Sequence, residues 1–269
     1  MENPEFIKIQ YPSVRHFTSD TGRIGREKHF VRGLLEVDIT DALQKIKVSR
    51  VPGKKVSFQA WFIKVLADTV EQHPPINGIH KGRNSVLVFK SVDVSTVVEK
   101  TVNGVSVPLP LVLKGANNKT HFQLNNEIQS AVAQSVNDEG NFVLGKGENT
   151  LLFRLAAAMP QWLRLFIMRT FILSNPQRMQ KMMGTVMVTS LGTVGQISGW
   201  IIPTSMHPLS IGIGSLNKKP VIYEGTIQKR NILHLSIAFD HDIIDGMPAL
   251  RFVDDLVSRL ETGSGLDDI

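Results

Sequence analysis

Between Val86 and Leu113 three runs rich in β-branched residues, Val86 to Phe89, Val92 to Val98 and Val105 to Leu113, succeed one another, separated by short turns containing Gly, Asn and Lys. They read as successive strands. The regular strand-helix-strand rhythm of a parallel doubly wound sheet is therefore absent. Ahead of them Phe58, Trp61, Phe62, Val65, Leu66, Thr69 and Val70 recur at helical spacing, which predicts a long core-facing helix. His73-Pro74-Pro75 stops it, because proline cannot continue the pattern. One mixed α/β domain accommodates both features.

The remaining elements fit the same domain. Phe30 to Val37 is an apolar run ending at Asp38, after which Thr40 can cap a short helix carrying Ala42, Leu43 and Ile46. Phe122, Ile128, Ala131, Val132 and Val136 suggest an amphipathic helix, broken by Asp138, Glu139, Gly140 and Asn141. Thr185 to Ser190, Leu209 to Ile213 and Leu233 to Phe239 complete the strands. Ala249, Phe252, Val253, Leu256, Val257 and Leu260 form a last helical stripe, with Pro248 suited to its first turn. No internal repeat or low-complexity linker divides residues 1–269, which read as a single domain.

Composition excludes several classes of function. The chain has no cysteine, so disulfides, thiolate nucleophiles and cysteine metal sites are ruled out. Residues 1–20 scatter Glu2, Glu5, Lys8, Arg15 and Asp20 among apolar residues, unlike a signal peptide, and a cytoplasmic location is expected. Arg154, Pro160, Arg164 and Arg169 interrupt the most apolar region, which leaves no stretch of roughly 18 uncharged apolar residues for a membrane span. A net charge of +6 and a pI near 9.5 suit an anionic ligand such as a phosphate, an acidic membrane face or nucleic acid. The basic residues are dispersed and no RNA-binding or helix-turn-helix signature organises them, so nucleic acid is not expected as a partner.

Chemistry concentrates in Ser236-Ile-Ala-Phe-Asp-His-Asp-Ile-Ile-Asp-Gly246, where an apolar strand meets a helix. Histidine is the side chain suited to proton exchange near neutral pH, and His241 can take a proton from a thiol or hydroxyl and return it to a leaving group. Asp245 can fix the loop that aims it. The same residues also suit a buried histidine satisfied by backbone. Asp240, His241, Asp242 and Asp245 could hold a metal, but no second histidine or carboxylate pair elsewhere has ligand spacing, so no metal is expected.

His241-Asp-Ile-Ile-Asp245-Gly246 resembles the HxxxDG signature of the chloramphenicol acetyltransferase and dihydrolipoamide acyltransferase superfamily. The likeness extends to Gly212 through Gly225 before it and to Pro248-Ala-Leu-Arg-Phe252 after it. More loosely it reaches Val37-Asp-Ile-Thr40, His73-Pro-Pro-Ile-Asn77 and Gly104-Val-Ser-Val-Pro108. Gly184-Thr-Val-Met-Val-Thr-Ser-Leu-Gly192 is similar to the family strand that ends in a hydroxyl residue beside the active histidine. Thr189 stands by position where the family usually has serine, and Ser190 follows immediately, so a one-residue shift would give the role to either hydroxyl.

The resemblance implies a two-layer α/β sandwich with a mixed sheet, a homotrimer with its active site between subunits, and acyl transfer from acyl-CoA to a thiol, hydroxyl or amine. His241 would be the base and Thr189 the oxyanion donor. Asp245 would be braced by an arginine, Arg15 by position, with Arg23 and Arg26 as competitors. Ser190, Gly192 and Gly246 would lie against the CoA. Complete relatives carry a lipoyl domain and a small partner-binding domain ahead of the core, and neither is expected within residues 1–269, nor is a lipoyl attachment. A lipoyl carrier is thus expected to come in trans, and the resemblance leaves open a larger assembly of trimers.

Two departures stand out. Asp242 follows the histidine where the family commonly has arginine, and a carboxylate there could raise the basicity of His241. Residues 148–183 are longer than the family's usual connection and hold five Arg or Lys against one Glu. Six of the nine methionines lie between Met159 and Met187. This helical insertion reads as a membrane-surface contact, a lid over an acyl pocket, or a plain elaboration of the core. The rival to catalysis is a silent trimeric scaffold or regulatory subunit.

Overall fold

The computed structural model describes residues 11, 14–48, 56–102, 105–133, 155–190 and 198–267. In chain order the elements are α1 (Val14–Gly25), β1 (Phe30–Asp38), α2 (Thr40–Val48), α3 (Phe58–Gln72), β2 (Gly78–Lys81), β3 (Ser85–Val88), β4 (Val94–Val102) and β5 (Val105–Leu113). There follow α4 (His121–Ala133), α5 (Gln161–Ile167), α6 (Pro176–Met183), β6 (Val186–Ser190), β7 (Leu209–Tyr223), β8 (Thr226–Asp240) and α7 (Gly246–Thr262).

Six strands form one mixed sheet in the order β1-β8-β7-β6-β4-β5. β6 runs parallel to both neighbours, and every other pairing in the sheet is antiparallel. β2 and β3 make a separate hairpin. Helices α2, α3, α4 and α7 form a layer on one face, so the fold is the mixed two-layer α/β sandwich expected from the resemblance.

Helix α3 organises that layer because nearly its whole circumference is apolar. Ser57 starts it by accepting a hydrogen bond from the Ala60 amide. Trp61, Phe62, Ile63 and Leu66 are fully buried, and α3 lies against α4 and α7. Each such side chain contributes roughly 2 kcal/mol by leaving water. The Trp61 indole keeps a partner in the core by donating to the Ser264 carbonyl at 2.9 Å. Opposite these helices the sheet presents Val37, Val94, Val188, Ile211 and Leu235.

Several local expectations change. Thr40 opens α2, but its hydroxyl donates to Asp38 and accepts from the Asn231 amide, which ties the helix to β1 and β8 instead of capping it. The expected strands at 209–213 and 233–239 are the inner ends of β7 and β8, whose long hairpin runs on through Tyr223 and Thr226. There the pattern is one-sided and exposed, with Ile222 and Ile227 in solvent, so apolar content underestimates the strands. Helix α1 and strand β2 were not foreseen, since neither has a run of apolar or β-branched residues. The helix expected over 122–136 is described as far as Ala133.

Alternation along β6 sends Val186 and Val188 into the core and Met187 and Thr189 to the opposite face of the sheet. Residues 198–207 cross that second face. A Cβ at Gly212 or Gly214 would run into the carbonyls of Ile201 and Gly199, so glycine is required where this segment lies on β7. The Ser236 hydroxyl donates to the Ile201 carbonyl from β8, and the Trp200 ring lies 4.2 Å from that of His234.

The helical region expected at 148–183 is described from Leu155 onward. α5 widens into a π-helical turn over Met168–Leu173 before α6 begins. Arg164 fastens it to α1: its Nε donates to Asp20 at 2.7 Å, and Gln161 donates to the same carboxylate at 2.9 Å. Lys81 of β2 holds its far end by donating to the Ser174 carbonyl at 2.7 Å.

Candidate active site

β8 delivers the motif histidine. The strand ends at Asp240, whose carbonyl accepts from the amides of Ile243 and Ile244 and so turns the chain tightly before α7. Ile244 is buried and pins that turn to the core. The His241 amide donates to the His29 carbonyl at 2.8 Å, which docks the turn on the loop before β1. With its backbone held in this way, the His241 side chain is exposed, and among the described residues its ring has no hydrogen-bond partner.

The neighbouring charges serve the loop. The carboxylate of Asp240, 3% exposed, forms an ion pair with Lys28 and also accepts from the Asp242 amide. Asp242 pairs with His29 Nδ1 at 3.0 Å, so the carboxylate expected to act on His241 is engaged elsewhere. A cavity of about 460 Å³ opens beside the turn, lined by Lys28, His80, Leu173, Met179, Asp240 and Asp242 among others. Leu173 brings the end of the π-helical turn to this cavity.

The other expected residues are placed as follows. Asp245 is exposed immediately before α7, where its carbonyl accepts from Ala249 and its side chain makes no capping bond. Gly246 is the exposed first residue of α7. Arg15 is exposed near the start of α1, and among the described residues no ion pair joins it, Arg23 or Arg26 to Asp245. Thr189 is half-buried on the second face of β6, and Ser190 follows it, exposed and on the other face. Gly192 lies outside the described residues.

Sheet register fixes the separation of hydroxyl and histidine. Thr189 is level with Gly212, and Gly212 with Ser236. His241 lies five residues beyond Ser236, roughly 16 Å along the strand direction and two strands over. One chain therefore does not bring Thr189 and His241 together.

On the same face of the sheet as Thr189, reached by Met187 two residues earlier on β6, is a second cavity of about 190 Å³. Met187, Met182, Met183, Met206, Val97 and Val112 make its walls mostly apolar, with Thr18 and Thr21 of α1 at its side. His207 closes one end: Ser205 Oγ lies 2.6 Å from its Nδ1, and its Nε2 lies 2.8 Å from the Met183 carbonyl, which requires the proton on Nε2. Burial pulls this imidazole down to about 4, so it is neutral near pH 7. Neither His207 nor Lys28 was among the expected residues. The Ser205-Met206-His207 sequence gives no periodic signal, and a lone lysine before a strand gives none either.

The site is thus a backbone-fixed, solvent-facing histidine that follows β8, the strand next to one edge of a mixed-sheet sandwich, an arrangement suited to proton transfer at an acyl acceptor. The description "2-oxoacid dehydrogenases acyltransferase (catalytic domain)" matches residues 31–139 and 174–266, and the chain belongs to that family. The unmatched stretch, 140–173, overlaps the insertion expected at 148–183 and leaves α6 within the matched part.

Similar proteins include the dihydrolipoyllysine-residue acetyltransferase component of the pyruvate dehydrogenase complex of Mycoplasma capricolum. It is 27% identical over 227 residues, 82% of this chain and 42% of that protein. The Staphylococcus aureus counterpart is 24% identical over 217 residues, 78% of this chain and 41% of that protein. The chain thus spans about two-fifths of the length of these curated relatives.

Among solved structures, a probable dihydrolipoamide acetyltransferase from Listeria monocytogenes superposes with a TM-score of 0.70 at 18% identity, covering 98% of each chain. The dihydrolipoamide acetyltransferase of Azotobacter vinelandii, studied for the role of a serine, a histidine and an asparagine in its catalytic mechanism, gives 0.67 at 18% identity. That likeness covers 97% of this chain and 93% of the other.

Proposed function

We propose that this protein transfers an acyl group between acyl-CoA and a thiol, hydroxyl or amine acceptor, with His241 as the general base. The observation that carries the reading is the presentation of His241: its backbone is fixed by the His29 carbonyl and the Asp240 turn, while its ring is left to meet a substrate. In the forward step the imidazole takes the proton of the acceptor, and the freed thiolate or alkoxide attacks the thioester carbonyl. The tetrahedral oxyanion accepts a hydrogen bond from the Thr189 hydroxyl, and collapse releases CoA, whose sulfur regains a proton from the imidazolium.

Because register keeps Thr189 and His241 of one chain apart, the reading assigns them to different copies, as the homotrimer implied by the resemblance requires. The apolar cavity on Thr189's face of the sheet supports an acyl or acceptor chain on that side, and the net charge of +6 suits the phosphates of CoA. Asp245 and Arg15 would brace the interface, where each meets a partner it lacks among the described residues of one chain. Ser190, Gly192 and Gly246 would flank CoA. The Azotobacter acetyltransferase, with a serine and a histidine under study in its mechanism, is a precedent for the residue pair.

A dihydrolipoyl group on another protein is the acceptor the family suggests. Offering acetyl-CoA with dihydrolipoamide, a lipoylated carrier protein or a small alcohol or amine tests it. The reading expects one acceptor class to release CoA at a rate that depends on His241, and silence with every class would favour a scaffold.

A further inference from the structure

Helix α5 and the π-helical turn that follows it point their charges and aromatic rings the opposite way from an ordinary surface helix. Arg164 is 8% exposed and its guanidinium lies on Asp20, whereas Trp162 is 70%, Phe166 56% and Phe171 53% exposed. Trp162 and Phe166, four apart, share one face of α5, and Arg164, two residues from each, points away from it. A helix packed on a soluble core would place the rings inward and the arginine out. The Asp20 ion pair, joined by Gln161, locks the helix in this rotation, because rolling Trp162 inward would strip a buried carboxylate of its partners.

From Thr150 to Met183 there is no Asp or Glu, and exposed Arg169 and Arg178 accompany the aromatic face. Arg169 pairs with Glu27 and Arg178 donates to the Phe171 carbonyl at 3.2 Å, but both lie in solvent, where such contacts are weak and leave the guanidinium open to a phosphate. Residues 140–173 lie outside the family match, so this face is an addition to the shared core. Exposed Trp and Phe beside acid-free, basic sequence is the composition that settles at the headgroup level of an anionic bilayer. A second copy on the same patch would instead set like charges against each other. Among the described residues no helix is long and apolar enough to cross a membrane, so the contact is with its surface.

We propose that Trp162, Phe166 and Phe171, with Arg169 and Arg178, dock this protein on the surface of a membrane rich in anionic phospholipid. The test is co-sedimentation of the native protein with vesicles of phosphatidylcholine alone and of phosphatidylcholine mixed with phosphatidylglycerol. It is repeated with the triple variant Trp162→Ser, Phe166→Ser, Phe171→Ser and with the double variant Arg169→Glu, Arg178→Glu.

Native protein should follow the anionic vesicles, and less so at high salt. The triple variant should partition roughly tenfold less or weaker still, with unchanged solution mass and melting temperature, since the replaced rings are exposed. The double variant should lose the preference for anionic lipid. Native protein left in the supernatant of both vesicle types, or a triple variant that sediments like the native chain, overturns the proposal. A triple variant of lower solution mass also overturns it, and gives the face to a contact between copies.

Discussion

The amide of His241 donates to the carbonyl of His29 at 2.8 Å, so the motif histidine is positioned by the loop before β1, some two hundred residues earlier in the chain. The same loop carries Lys28, which pairs with the buried carboxylate of Asp240 directly before His241. Removing Lys28 leaves that carboxylate buried without its cation, an arrangement that costs about 3 kcal/mol. Lys28→Met should therefore lower the stability measured by urea unfolding by about that amount and reduce kcat. Lys28→Arg should recover most of both, and a Lys28→Met protein as stable and active as the native one would remove the loop from the account.

The oxyanion role separates Thr189 from Ser190. Alternation puts Thr189 on the face of the second cavity and Ser190 on the other face. Loss of one preorganised donor lowers kcat about 100- to 1000-fold, so Thr189→Ala should fall in that range with little change in KM. Thr189→Ser should restore activity and Ser190→Ala should keep it. The reverse pattern would shift the role to Ser190.

Register leads to a complementation experiment. If Thr189 of one copy serves His241 of another, chains carrying Thr189→Ala co-assembled with chains carrying His241→Ala form some interfaces with both groups intact. The mixture should regain a sizeable fraction of native activity that neither variant shows alone. Mixed oligomers as inactive as their parents would place both groups in one site of one chain, against the sheet register.

His207 gives a pH dependence of stability. Burial chiefly, opposed by the bond to the Met183 carbonyl and aided by the charge of Lys28, lowers its imidazole from 6.5 to about 4. The folded state thus binds the proton less readily than the unfolded chain. The stabilisation is complete above pH 6.5 and lost as pH falls towards about 4, amounting to roughly 3 kcal/mol over that window. His207→Gln should flatten the stability profile between those values. An unchanged slope in the variant would assign the acid sensitivity to other groups.

Much of this was legible in the sequence where the physics is local. Periodicity located α3 and α7 because each buries a continuous stripe, and β-branched runs located β3, β4 and β5. The HxxxDG segment pointed to His241 from six residues. What periodicity does not encode is pairing: that Asp242 faces His29, that Lys28 holds Asp240, and that Thr189 and His241 belong to opposite ends of the sheet follow only from register. The basic, methionine-rich stretch was conspicuous, but its orientation depends on one buried contact, Arg164 with Asp20, between residues far apart in the chain.

The central claim is tested most directly by following release of free CoA from a panel of acyl-CoAs, with and without dihydrolipoamide, for the native protein and His241→Ala. The account expects acceptor-dependent CoA release by the native protein, lowered at least about 100-fold in the variant, whose fold should persist because the ring is exposed. Equal release by both proteins, or none by the native protein with any acyl-CoA and acceptor, would contradict it.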